Sequence, residues 1–308
     1  MSKIGNSNIA AIYKGSTEVV KAYLGNSVVY EKASSTPDYL AITALEPITV
    51  GFVRQSSVQT LEYSYDGNSW ATYYSASTPI SLSTGDKVCF RGKLNGNNDS
   101  SRYSQFNISG RFNASGKLGA LINYESVDDP NPRYYSFENL FRETQIVDAS
   151  GLIFPPRMED YFCYLMFYHC TYLTHAPELP NTSLKTSCYD GMFSGCASLV
   201  HAPSILPATT LATTCYNNMF RECTSLVTAP VLPATTLAQQ CYRSMFYRSS
   251  NVANITCLAT DISAWDCTLG WLRDVAANGT FTKNSNMSGW PSGNSGIPEG
   301  WTVQDYQG

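Results

Sequence analysis

The side chains best able to do chemistry in this chain are thiols: it has ten cysteines but only three histidines among 308 residues. A thiolate beside an imidazole would be a nucleophile, C-x2–4-C pairs would hold zinc, and an even cysteine count in a short secreted chain would form a disulfide framework. The spacing suits none of these. The close pairs Cys163–Cys170, Cys188–Cys196 and Cys215–Cys223 are too far apart for a zinc knuckle, and each brackets a Met-Phe or Met-Phe-like pair. His169 precedes Cys170 directly, and adjacent residues on a helix diverge. His175 and His201 recur one unit apart, close enough to share a metal or an acidic group. Their column continues with Thr228 and Asn254, so an exposed strand position copied with the repeat explains them more simply.

Other chemistry is poorly supplied. Glu178, Asp190 and Glu222 fall in different repeat columns, so they read as solvated and make no acid pair for glycan cleavage. GRFNASGKL at 110–118 has the wrong glycine spacing for a phosphate loop, and no G-x-S-x-G or H-E-x-x-H motif occurs. The expectation is no enzyme: no catalytic residue, no metal ligand and no cofactor.

Charged residues make up 14% of the chain, against about 25% in a typical globular protein. The net charge is −4 without a basic run, which excludes the footprint of a nucleic-acid binder. No apolar stretch reaches membrane-spanning length, so no membrane insertion is expected. MSKIGNSNIAAIYKG lacks a continuous apolar segment and does not read as a secretory signal. Cysteine usage then points to folding in a reducing compartment, with each thiol a small buried apolar group.

The elements that position these thiols repeat. Met166-Phe167, Met192-Phe193, Met219-Phe220 and Met245-Phe246 are 26, 27 and 26 residues apart, and Leu140-Phe141 and Trp271-Leu272 extend the register. A cysteine stands four residues before the pair at 188, 215, 241 and 267, with Phe162 in that column. Another stands four after at 170, 196 and 223, replaced by Ser249. Spacings of three and four predict a short two-turn helix across C-Y-x-x-M-F-x-x-C, and S-L-V-x-A predicts a strand stopped by proline. One strand and one helical segment in this length match a leucine-rich repeat, stacked so that neighbours bury each other's apolar faces. MFSGCASLVHAPSILPATTLATTCYNNMF resembles the repeats of BspA-like leucine-rich surface proteins. TFTKNSNMSGWPSGNSGIPEGWTVQDY resembles the cap that follows such arrays, with Trp290 and Trp301 placed to cover its open end.

Upstream, short β-type runs broken by Gly, Asn and Asp predict an antiparallel sandwich. Asp66-Gly67 marks a hairpin, Cys89 reads as core, and the segment resembles the β-sandwich module preceding these repeats. The first 32 residues show a ten-residue turn pattern at 4–7, 14–17 and 24–27, predicting a small meander that is marginal alone. IYKGSTEVVKAYLGNSVVYEK resembles N-terminal segments of phage head- and tail-fibre proteins.

The fold expectation is therefore mainly β with short helices. It comprises an N-terminal β-meander and linker (1–35), an antiparallel β-sandwich (36–130), a leucine-rich-repeat solenoid of about six α/β units (131–283) and a C-terminal cap (284–308). The resemblances imply a non-enzymatic phage virion protein, a head fibre, decoration protein or tail adhesin assembled in the host cytoplasm and exposed on the particle. Ile9, Ile12, Tyr13, Val19, Val20, Tyr23, Val28, Val29 and Tyr30 of the meander would contact a capsid or tail protein. Thr174, His175, Val200, His201, Val227, Thr228 and Asn254 would face a host-surface glycan or protein. A homo-oligomer is expected, and a bacterial cell-surface BspA-like adhesin is the alternative.

Overall fold

The computed structural model describes residues 9–14, 18–24, 27–31, 38–54, 60–74, 79–93 and 104–307. The expected turns at 4–7, 15–17 and 25–26 and the linker at 33–37 lie outside the described residues. The chain forms two compact units, Met1–Asp38 and Tyr39–Gly308.

In the first unit, β1 (Ile9–Lys14), β2 (Glu18–Leu24) and β3 (Ser27–Glu31) form an antiparallel sheet in the order β1-β2-β3. Runs rich in β-branched and aromatic residues favour strands. Ile9 pairs with Leu24 and Tyr13 with Val19, with a register shift between Ala11 and Tyr13. Tyr23 pairs with Val28 and Ala22 with Tyr30. All nine meander residues nominated from the sequence lie on these three strands.

The second unit opens with β4 (Leu40–Ala44), β5 (Ile48–Arg54), β6 (Leu61–Ser64), β7 (Ala71–Tyr73), β8 (Ile80–Leu82), β9 (Lys87–Gly92), β10 (Ser104–Ser109) and β11 (Phe112–Lys117). With β12 (Ile146–Ile153) they make a six-stranded sheet, β12-β11-β4-β9-β6-β7, and a three-stranded one, β10-β5-β8. Phe90 of the larger sheet meets Phe106 of the smaller edge-on at 5.1 Å, and the Phe52 N–H donates to the Tyr73 hydroxyl across the two. The hairpin at Asp66-Gly67 forms between β6 and β7. Gly67 takes φ +77°, a region glycine enters without Cβ strain. The Asp66 carboxylate accepts from the Asn68 and Ser69 backbone N–H groups and the Ser64 hydroxyl, which holds its carboxyl well below the usual range.

The expected two-turn helices do not form. Among the described residues the single helix is the four-residue α1 (Gly119–Ile122). Each C-Y-x-x-M-F-x-x-C segment is instead a run of overlapping tight turns, here called a rung. In the rung at 161–170, the N–H groups of Tyr164, Met166, Tyr168 and Cys170 donate three residues back within the rung. Those of Tyr161, Cys163, Leu165, Phe167 and His169 donate to the next rung, at Thr186, Cys188, Asp190, Met192 and Ser194. Every fourth residue (Tyr161, Leu165, His169) has positive φ. That is the requirement at the third position of a type II turn. The result is a period of four: two residues inward (Phe162-Cys163, Met166-Phe167), then two outward. A helix and this spiral both bring apolar residues back after three or four positions, so periodicity alone could not separate them.

Opposite each rung the chain passes through a second parallel ladder. Asp148 bridges to His175, His175 to His201, and Thr228 to Asn254. The ladder ends in a parallel sheet of β13 (Asn254–Cys257), β14 (Thr280–Lys283) and β15 (Thr302–Asp305). Both ladders grow from the two sheets. The Phe106 N–H on β10 donates to the Leu140 carbonyl, as Phe141 N–H does to Met166, while β11 pairs in parallel with β12. Phe106, Phe141, Phe167, Phe193, Phe220 and Phe246 accordingly form one face-to-face stack, with centroid spacings of 5.4–5.6 Å. At the far end Trp271 stacks on Tyr242 and Trp290 on Trp271, and the Trp301 indole N–H donates to the Ala276 carbonyl.

Candidate binding faces

The thiols belong to the core. All ten cysteines are free and buried, and burial pushes Cys170 and Cys188 up to about 12. One column does more than fill space. The Cys170, Cys196 and Cys223 thiols donate to the carbonyls of Phe141, Phe167 and Phe193 in the preceding rung, at 2.9–3.2 Å. The Ser249 hydroxyl makes the same bond to Phe220 at 2.6 Å. The column thus selects a small donor, a role beyond the apolar filler expected from the sequence.

The residues nominated for ligand contact lie along the strand ladder. Val200 and Val227 are each 50% exposed, and His201, Thr228 and Asn254 are exposed beside them. Thr174 and His175 are half-buried: the Thr174 hydroxyl donates to the Val147 carbonyl and pairs with His175 Nδ1 at 2.9 Å. The His175 and His201 rings stack 4.3 Å apart at 23°. Parallel rings do not converge their nitrogens on one point, and among the described residues no three His, Cys, Asp or Glu side chains gather for a metal.

The opposite, turn face carries two cavities that the sequence did not indicate. One, of about 250 Å³, opens around Asp190, Gly191 and Ser194, between Tyr164 and Tyr168 on one side and Asn217 and Arg221 on the other. Asp190, expected to be solvated, is half-buried there. Both of its carboxylate oxygens lie 3.2 Å from the Asn217 amide nitrogen, and burial raises its carboxyl to about 6. Leu165 and His169 lean over Gly191 and Gly195, where a Cβ would stand 2.5 and 2.6 Å from their side-chain carbons. The second cavity, of about 230 Å³, is lined by Arg221, Arg243, Arg273, Ser244, Tyr247 and Asn294.

Neither a family model, a curated protein nor a solved structure matches the chain. Among the described residues no helix is long and apolar enough to cross a membrane.

Proposed function

We propose that this protein is a non-enzymatic display component of a phage particle, a head fibre, decoration protein or tail adhesin. The N-terminal sheet attaches it, and a β-sandwich followed by a capped, leucine-rich-repeat-like solenoid of the BspA type is presented to a host-surface glycan or protein. One observation carries the reading: rungs joined by backbone bonds bury their own thiols and leave two long, regularly patterned faces. Such arrays suit extended recognition. The particle context rests on the resemblance of IYKGSTEVVKAYLGNSVVYEK to fibre N-termini. A sheet of three short strands needs further packing to persist in water, and a capsid or tail protein, or further copies of this chain, would supply it.

Removal of residues 1–32 tests the attachment. The truncated protein is expected to be soluble and missing from purified particles, whereas its incorporation at the full-length level would refute the role of the sheet. Recovery of the full chain on the bacterial envelope in cells without phage would instead favour a cell-surface adhesin.

A further inference from the structure

The outward positions of the rungs form columns of their own. Two residues after the Met-Phe methionine position stand Arg142, Tyr168, Ser194, Arg221, Tyr247 and Arg273. Guanidinium and phenol planes alternate along this column. Arg142 lies 4.9 Å from the Tyr168 ring centre, Arg221 4.9 Å from Tyr247, and Arg273 5.5 Å from Tyr247. The alternation is interrupted once. At Ser194, whose side chain lies buried at the cavity floor, neither plane is present, and the cavity opens between Tyr168 and Arg221. Strands of a ladder lie about 4.8 Å apart, so the rungs on either side of Ser194 are about 10 Å apart, room for one ring between two flat side chains.

The walls of this slot specify the ring's chemistry. Asp190 offers a carboxylate, and Asn217 Oδ1 is a buried acceptor with no donor among the described residues. Acceptors beside an aromatic face suit a ligand that carries hydroxyls on a ring with C–H faces. The next cavity has a different character. Arg221, Arg243 and Arg273 line it, and among the described residues Arg243 has no ion pair, while Arg221 and Arg273 meet only the neighbouring Glu222 and Asp274. Arg248 also packs on Tyr247, 5.0 Å from its ring centre. Four guanidinium groups against two carboxylates leave this patch positive in a chain of net charge −4, and guanidinium forks recognise carboxylate and sulfate oxygens. Arg221 lines both cavities, so they are neighbours along the turn face.

We propose that the turn face binds an acidic saccharide, with one sugar ring in the slot above Ser194 and a carboxylate or sulfate of the adjoining sugar held by Arg221, Arg243 and Arg273. The site stands on its own geometry. It rests on the display reading only for the origin of the saccharide, a host surface. An acidic peptide would satisfy the arginines but leave the hydroxyl-seeking acceptors of the slot unused.

Titration calorimetry on the full chain tests this with four probes: a tetragalacturonate, a heparin tetrasaccharide, the methyl-esterified tetragalacturonate and sodium sulfate, with polyglutamate as the peptide comparison. At least one acidic tetrasaccharide is expected to bind at least tenfold more tightly than the ester, sulfate or polyglutamate, and to weaken with salt. Ser194→Tyr completes the column and closes the slot. It is expected to keep or raise the melting temperature and to weaken saccharide binding at least tenfold. The pair Arg243→Ala and Arg273→Ala should do the same and flatten the salt dependence. Binding of neither tetrasaccharide overturns the proposal, as does equal binding of sulfate alone, equal binding of polyglutamate, or unchanged affinity in a folded Ser194→Tyr protein. Host-cell attachment separates the two readings. Loss on substitution of Val200 and Val227, with none for Ser194→Tyr, leaves display intact and removes the turn-face site.

Discussion

The sheets of residues 40–117 and the rungs of residues 137–275 solve the same problem, satisfying backbone polar groups in a buried core, in different ways. In the sheets each strand has particular partners, and hairpins such as the one at Asp66-Gly67 set the register. In the rungs half of the N–H groups close turns within the segment and the other half reach the next copy. A sheet strand therefore depends on non-local pairing decided once, whereas a rung depends on its two neighbours alone. The aromatic stack makes the junction continuous, since Phe106 of a sheet takes the place a rung phenylalanine would occupy.

The largest expected effect comes from cutting that stack. Phe193→Ala should cost about 3–5 kcal/mol, measured by denaturant unfolding. Hydrogen exchange should accelerate in both adjoining rungs, 161–170 and 214–223. Acceleration confined to 187–196 would break the nearest-neighbour picture. The donor column gives a smaller and more selective effect. Cys196→Ser keeps a donor for the Phe167 carbonyl, as Ser249 does for Phe220, and should cost under about 1 kcal/mol. Cys196→Val removes the donor and adds bulk, and should cost about 1–3 kcal/mol. Equal costs for the two would reduce the column to simple packing.

The smallest effect sets the two regions against each other through pH. Asp66 in the hairpin is held low by backbone N–H groups, so its contribution is present above the ordinary carboxylate range and lost as pH falls. Asp190 in the rungs is raised from 3.8 to about 6 by burial. Its native form holds the proton longer than the unfolded form, so stability is lost as pH rises from about 4 to about 6 and is unaffected by this group below that window. Asp190→Asn should therefore match the parent near pH 3 and exceed it at pH 7, by about 1–2 kcal/mol once its partial exposure is allowed for. Thermal unfolding at the two pH values reads this, and a deficit at pH 7 would show that the Asn217 contact outweighs desolvation.

Much of the stacking was legible in the sequence, because a column that keeps its place over five intervals needs a structural neighbour in every copy. The helix was misread for a definite reason. Repeating Met-Phe and Cys positions fit a helical face, and the contrary signal lay in the outward residues. Asn139, Gly191, Gly195, Asn218, Gly270 and Asp274, spaced by fours within rungs, are types that tolerate positive φ. The donor column also left a trace, since Ser249 and the thiols share a proton to give rather than a volume. The turn-face cavities left less. Asp190 stands in an outward column, and the groups that surround its carboxylate, Tyr164 on one side and Asn217 and Asn218 on the other, belong to the neighbouring rungs, a contact across copies that no single unit records.

A 26-residue unit that bonds only to the copies before and after it carries its own donors and acceptors when it is duplicated. Unequal recombination within the coding repeat can therefore lengthen or shorten the array while every internal seam stays closed. Of the two outward residues in each four-residue period, one is held at positive φ, so the other is the position freer to diverge once a copy is made. Array length and surface chemistry become heritable variables that can change separately, so a lineage can alter the exposed faces without refolding the chain.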